Sequence, residues 1–196
     1  MSHTAALYLS FFGGGLLSIL LLGLAGCRAP APNLSQETPS YKSALSESAT
    51  LAHPPTPEAI LRVEHLFQNY TPEELEKRVP EVYAQTVWFR DGFREINGLD
   101  ALRTYLDHSA STLRDSRFDF APAMISGNEA VLRWTMHLNL NRDPEDRWSR
   151  TIGLSHIRFD AEGKVLFQQD YWDPTDMLYY RIPVAKTLIH QVRKKL

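Results

Sequence analysis

The spacing of apolar residues divides the chain into three stretches. From Ala5 to Ala25 they run almost unbroken and without a charge; from Arg28 to Thr56 they are scattered among Pro, Ser, Ala and Thr; from Pro57 onward they fall into short periodic groups. In this last stretch Ile60, Val63, Phe67 and Tyr70 keep the spacing of one helical face, which predicts a helix with one buried side. Thr56-Pro57 opens it, with threonine as cap and proline at the first helical position, where a missing N–H costs nothing. Thr71-Pro72-Glu73-Glu74 repeats the device as a capping box, and Pro80 ends or bends the second helix. A third helix starts at Gly98 and turns Ala101, Leu102, Tyr105 and Leu106 inward as far as about Leu113.

Alternating patterns predict strands at Val87 to Asp91, Arg117 to Ile125, Ala130 to Leu140, Arg150 to Phe159 and Lys164 to Trp172. The last four form a meander, with Gly127-Asn128 and Ala161-Glu162-Gly163 as turn signals. Asp173-Pro174 is expected to cap a helix through Met177 to Tyr180, ahead of a final amphipathic segment from Val184 to Leu196. Helices followed by an antiparallel sheet predict one α+β domain over residues 57–196.

Side-chain alternation across these hairpins groups Thr151, Gly153, Ser155, Ile157 and Phe159 with Leu166, Gln168, Asp170 and Trp172, and with Leu132, Trp134, Met136, Leu138 and Leu140. This face is apolar except for Ser155, Gln168 and Asp170, which cluster beside Trp172 and Gly153. Such a wall with a few convergent polar groups is the composition of a small-molecule pocket, and Gly153 is expected to leave room above the sheet. The opposite face mixes Arg133, Thr135, His137 and Asn139 with Ile152, Leu154, Phe167 and Tyr171, so something is expected to cover it.

The first apolar run reads as a secretory signal over residues 1–26. Its end, Leu24-Ala25-Gly26-Cys27, resembles the lipobox of bacterial lipoproteins, which implies lipidation at Cys27 and attachment to the cell envelope. An uncleaved membrane span is the alternative, against which the consecutive glycines Gly13 to Gly15 weigh. Arg28 after the cysteine resembles the sorting pattern for the periplasmic side of the outer membrane. Residues 27–56 are expected to be a disordered Pro/Ser-rich tether. Cys27 is the only cysteine, so the exported domain contains no internal disulfide.

Charge and motifs exclude several functions. With 21 Lys and Arg against 23 Asp and Glu, the chain has no basic footprint for nucleic acid. His137 and His156 stand apart on the outer face, and neither a clustered His/Cys spacing, a phosphate loop nor a serine elbow occurs, so no metal and no cofactor is expected.

Residues 81–180 resemble the nuclear transport factor 2-like superfamily, in particular its SnoaL-like branch. The resemblance is carried by Val87-x-Phe89-x-Asp91, by Asn97-Gly98-Leu99-Asp100-Ala101-Leu102-x-x-Tyr105-Leu106, by Gly153-x-Ser155-x-Ile157-x-Phe159-Asp160 with Gly163-Lys164-Val165, and by Asp170-Tyr171-Trp172-Asp173. It implies a cone-shaped curved antiparallel sheet wrapped around the N-terminal helices, and a conical cavity. It leaves the activity open, since the scaffold hosts isomerases, cyclases, epoxide hydrolases and non-enzymes. It also implies a homodimer through the outer sheet face, as in many relatives.

Asp170 is the leading catalytic candidate. A carboxylate in an apolar cavity has its pKa raised and can act as a general base near neutrality, and SnoaL-like cyclases place their acid/base aspartate on the corresponding strand. The alternative is a buried aspartate that fixes the cavity wall. Asp91 either pairs with it as a second carboxylate or caps the following loop, and Asp173 reads as a helix cap. Trp88, Trp134, Trp172, Tyr83 and Tyr105 either line a site for a flat hydrophobic molecule or pack the core. Three functions follow as expectations: binding of a small hydrophobic ligand by a membrane-tethered domain, with Ser155, Gln168, Trp172, Trp134, Met136, Gly153, Tyr83 and Tyr105 around it; a cofactor-independent isomerase or cyclase using Asp170, with Asp91 or Tyr83 orienting the substrate; or a protein-interaction module using the outer sheet face.

Overall fold

The computed structural model describes residues 39–175, 177 and 179–195. The signal segment 1–26, Cys27 and the first part of the expected tether lie outside the described residues. Helix α1 spans Pro39–Leu51, α2 Pro57–Gln68 and α3 Pro72–Val82. Both threonine caps form as the sequence predicts: Thr56 Oγ1 accepts from the Ala59 N–H at 3.1 Å and Thr71 Oγ1 from the Glu74 N–H at 3.4 Å. Pro80 sits inside the last turn of α3, which continues only to Val82. Ala59, Ile60, Val63 and Leu66 of α2 and Leu75, Val79 and Val82 of α3 form the core with Leu99, Leu102, Leu106 and Ala110 of α4 (Leu99–Ser111). Ala101, expected inward, is exposed; Leu99 takes the buried place instead.

The sheet comprises β1 (Tyr83–Arg90), β2 (Glu95–Asn97), β3 (Leu113–Phe120), β4 (Met124–Ser126), β5 (Glu129–Leu140), β6 (Ser149–Phe159) and β7 (Val165–Trp172), in the order β2-β1-β7-β6-β5-β3 with β4 also on β5. Neighbours are antiparallel except β1 and β7, which run parallel. The sheet is curved and unclosed, and with its helices gives the α+β architecture expected. The segment predicted as one strand from Arg117 to Ile125 is two strands that break at Ala121-Pro122-Ala123, where proline lacks a ladder donor. The Asp173–Tyr180 helix is instead a turn, in which Asp173 Oδ1 accepts from the Thr175 N–H at 2.8 Å, followed by a 3₁₀ turn at Tyr179–Arg181 and helix α5 (Pro183–Arg193).

Register across the meander places Trp134, Gly153 and Trp172 in one row, and Leu132, Ser155 and Asp170 in the next. The inner face therefore has the composition expected, with one exception. Arg158 pairs with Phe167 but Phe159 with Val165, so Leu166 is the extra residue of a bulge; it packs with Trp88 and Phe167 on the outer face.

Helix α1 covers the part of that outer face made by β1 and β7, while Ile152 and Tyr171 stay exposed. Tyr41, Ala44 and Leu45 pack on Trp88, Leu166 and Phe167, where Trp88 and Phe167 stack at 5.0 Å and Tyr41 tilts against both. Arg158, buried beneath the helix, donates to the Leu45 carbonyl and to Ser48 Oγ, and pairs with Glu129. Over Pro39–Leu51 this corrects the expectation of a disordered tether from 27 to 56. Tyr41, Ala44, Leu45 and Ser48 keep helical spacing, and their burial on an exposed apolar patch offsets the ordering entropy that the Pro/Ser-rich composition alone does not. Phe167, expected to face a partner, is fully buried under the chain's own helix.

Candidate functional site

Between the inner face of the sheet and helices α2 and α4 lies a cavity of about 330 Å³. Its wall is mainly apolar, from Phe67, Phe118, Leu132, Trp134, Met136 and Leu138 among others, and its polar members include Ser155, Asp170, Asp91, Arg94 and His108. The volume matches the lower end of the small-molecule range.

Asp170 receives two chains of hydrogen bonds. The Tyr83 hydroxyl donates to Gln168 Oε1 at 2.9 Å, and Gln168 Nε2 donates to Asp170 Oδ1 at 2.9 Å. From the other side Trp134 Nε1 donates to Ser155 Oγ at 3.0 Å, and Ser155 in turn bonds to Asp170. Strand register explains the convergence: Ser155 is directly across from Asp170, and Gln168 precedes it by two positions on the same face. Burial pushes the Asp170 carboxyl up to about 7; Ser155 and Gln168 oppose the rise, and the charge of Asp91 adds to it. Burial wins, which leaves a carboxyl able to hold or release a proton near neutrality. Burial also raises Tyr83 well above the ordinary phenol range, so it stays a donor.

Asp91 closes the loop after β1. Its Oδ1 accepts from the N–H groups of Phe93 at 2.7 Å and Arg94 at 2.8 Å, and its Oδ2 accepts from the Tyr105 hydroxyl. Both carboxylate oxygens are thus engaged by protein donors, as a loop cap requires. Tyr105 is raised out of the ordinary range by burial first and by this carboxylate second.

The sequence model of the SnoaL-like domain matches residues 63–167. The chain belongs to the SnoaL-like domain family. No curated protein matches the chain by sequence. Similar solved structures include a nuclear transport factor 2-like protein from Exiguobacterium sp. 255-15 (16% identity, 59% of this chain and 98% of that one, TM-score 0.51). A protein with a ketosteroid isomerase-like fold from Catenulispora acidiphila, solved with trimethylamine, gives 14% identity over 63% of this chain and 91% of that one, at a TM-score of 0.54. An LEH-like epoxide hydrolase from M. tuberculosis gives 20% identity over 62% and 83%, at 0.51. At these identities the likeness establishes the fold, and the chemistry has to be read from the site.

Within this SnoaL-like domain, Asp170, Ser155, Trp134, Met136, Trp172, Asp91 and Tyr105 all line the cavity. Tyr83 and Gln168 do not: both are fully buried behind the wall and reach it only through Asp170. Gly153 leaves no room for a ligand, because the ring of Trp134 fills the space above it. Trp172 stands at the rim, edge-on to Phe93 at 5.2 Å and against Gly92. Phe67, Phe118 and Met177 are wall residues that the strand pairing did not single out. Phe118 shares its face of β3 with Phe120, the signal that was available; Met177 follows the last strand in a turn with no periodicity. Among the described residues no three His, Cys, Asp or Glu side chains gather as a metal site requires.

Proposed function

We propose that this domain binds a small, largely apolar molecule in the cavity, with the polar end of the molecule on Asp170. The observation that supports this is the Asp170 carboxyl, fixed by two donor chains, in a mainly apolar wall whose other carboxyl, Asp91, is already taken up by loop and Tyr105 donors. A carboxylate has about four acceptor positions and the two protein donors use two, so Asp170 has capacity left for a ligand. Native mass spectrometry of the purified protein is expected to show a co-purified small molecule, and Leu138→Trp, which fills the cavity, is expected to release it. Equal retention by that variant contradicts cavity binding.

A second reading, cofactor-independent isomerase or cyclase chemistry, is favoured by the position of Asp170 near neutrality. The carboxylate takes a proton from one atom of the substrate and returns it to another, so no oxidant or cofactor is consumed. Asp170→Asn then abolishes turnover while ligand affinity survives; affinity and turnover lost together favour simple binding. For the outer-face interaction reading, α1 occupies the part of that face around Trp88 and Phe167, and Ile152 and Tyr171 are the apolar residues of the face left exposed.

We further propose that Cys27 carries the lipid anchor of an envelope lipoprotein, on the strength of the Leu24-Ala25-Gly26-Cys27 motif. Cys27→Ser is expected to yield unacylated protein, and acyl mass retained in that variant contradicts the assignment.

A further inference from the structure

Helix α5 is amphipathic, yet none of its residues is buried. With about 3.6 residues per turn, Val184, Leu188 and Val192 share one face, Ala185 and Ile189 continue it toward the domain, and Lys186, His190 and Arg193 lie opposite. The domain side of that apolar arc is half-buried, whereas Val184, Leu188 and Val192 are 71%, 61% and 57% exposed, and Ile182 just before them is 52% exposed. Such a stripe is a steady cost in water unless something receives it.

The charges beside it restrict what that partner is. Residues 183–195 contain Lys186, Arg193, Lys194 and Lys195 and no Asp or Glu; Arg193 pairs with Asp173 at 3.9 Å, and the three lysines carry the positive charge the helix presents outward. A second copy packed stripe to stripe would engage the apolar residues and make no use of the cations, which lie off that face or at its end. An anionic lipid surface instead meets both features at once, taking the apolar stripe into its interface and the cations among its headgroups. At 11 residues the helix is too short to cross a hydrocarbon core of roughly 30 Å, so it lies along the surface. We propose that α5 is a membrane-interface helix that holds the domain flat against an anionic bilayer. The inference rests on the anchored reading of Cys27, which puts that bilayer within reach. Met177, a cavity-wall residue, lies in the short connection between Trp172 and α5, so docking the helix brings this side of the cavity toward the lipid.

Amide hydrogen exchange of the full chain, reconstituted in vesicles of phosphatidylcholine alone or with phosphatidylglycerol, tests this. Residues 183–193 are expected to exchange at least ~tenfold more slowly on the phosphatidylglycerol vesicles than on phosphatidylcholine alone. Leu188→Glu, at a position that supports nothing in the domain, is expected to abolish the difference while exchange elsewhere is unchanged. Equal exchange of wild type and Leu188→Glu overturns the proposal, as does protection that depends on protein density but not on lipid charge, which would indicate a second copy. Intact mass of the same sample reports acylation at Cys27 separately, so failure of the anchor and failure of the helix contact are distinguishable.

Discussion

The ring of Trp134 occupies the space into which a side chain at residue 153 would project: a Cβ built on Gly153 would meet Trp134 Cη2 at 2.3 Å. Glycine at that position allows the indole to lie across the neighbouring strand, and from there its Nε1 reaches Ser155. One missing side chain thus sets the donor chain that ends on Asp170.

Gly153→Ala is accordingly expected to destabilise the domain by on the order of 1–3 kcal/mol, the usual consequence of overpacking a filled site. Displacing Trp134 also frees Ser155 from its donor, so ligand affinity is expected to fall by more than the stability loss alone explains. Urea unfolding and a ligand titration on the same variant check both parts.

Much of this was legible in the sequence, and the misses share a cause. Long strands with clear alternation carried Trp134, Ser155 and Asp170 to one face, because their register depends only on parity. Leu166 broke that parity through a bulge, which two pairing offsets reveal and a pattern does not. Trp134 over Gly153 depends on a rotamer, and α1 depends on a receiving surface made by β1 and β7, distant in the chain. Residues whose placement is settled by tertiary partners leave little local trace.

Stability is expected to change with pH through Asp170. Its folded pKa of about 7 lies above its ordinary value of 3.8, so the folded state binds the extra proton. The resulting stability is fully present below the unfolded pKa and is lost as pH rises through the interval between the two values. Asp170→Asn removes this dependence. Relative to wild type the variant is expected to gain between about pH 4 and pH 8, on the order of a few kcal/mol, in parallel denaturant unfolding series. A wild-type minus variant difference that is flat across this range would falsify the assignment.

Docking of α1 is expected to be sensitive at Ala44, whose side chain is buried beside Trp88 and Phe167. Ala44→Glu places a charge in that apolar contact and is expected to cost about 2 kcal/mol or more. Residues 40–51 then become the first site of limited proteolysis, and Trp88 emission shifts to the red. Protease resistance equal to wild type contradicts the role given to this helix.

Tyr83→Phe removes the hydroxyl that fixes Gln168 and is expected to cost about 1–2 kcal/mol, since the Gln168 carbonyl is left buried without a donor. Because Tyr83 and Gln168 both lie behind the cavity wall, the change reaches a ligand only through Asp170. The pH at which Asp170 titrates is expected to move while the cavity's preference for apolar molecules stays the same, as ligand competition read beside the titration will show.

The most direct measurement is a carbon-13 NMR titration of the Asp170 side-chain carboxyl, assigned by its absence in Asp170→Asn. A midpoint close to pH 7, shifted when an apolar ligand fills the cavity, is the expected result. A midpoint in the ordinary carboxylate range, indifferent to ligand, would contradict the account.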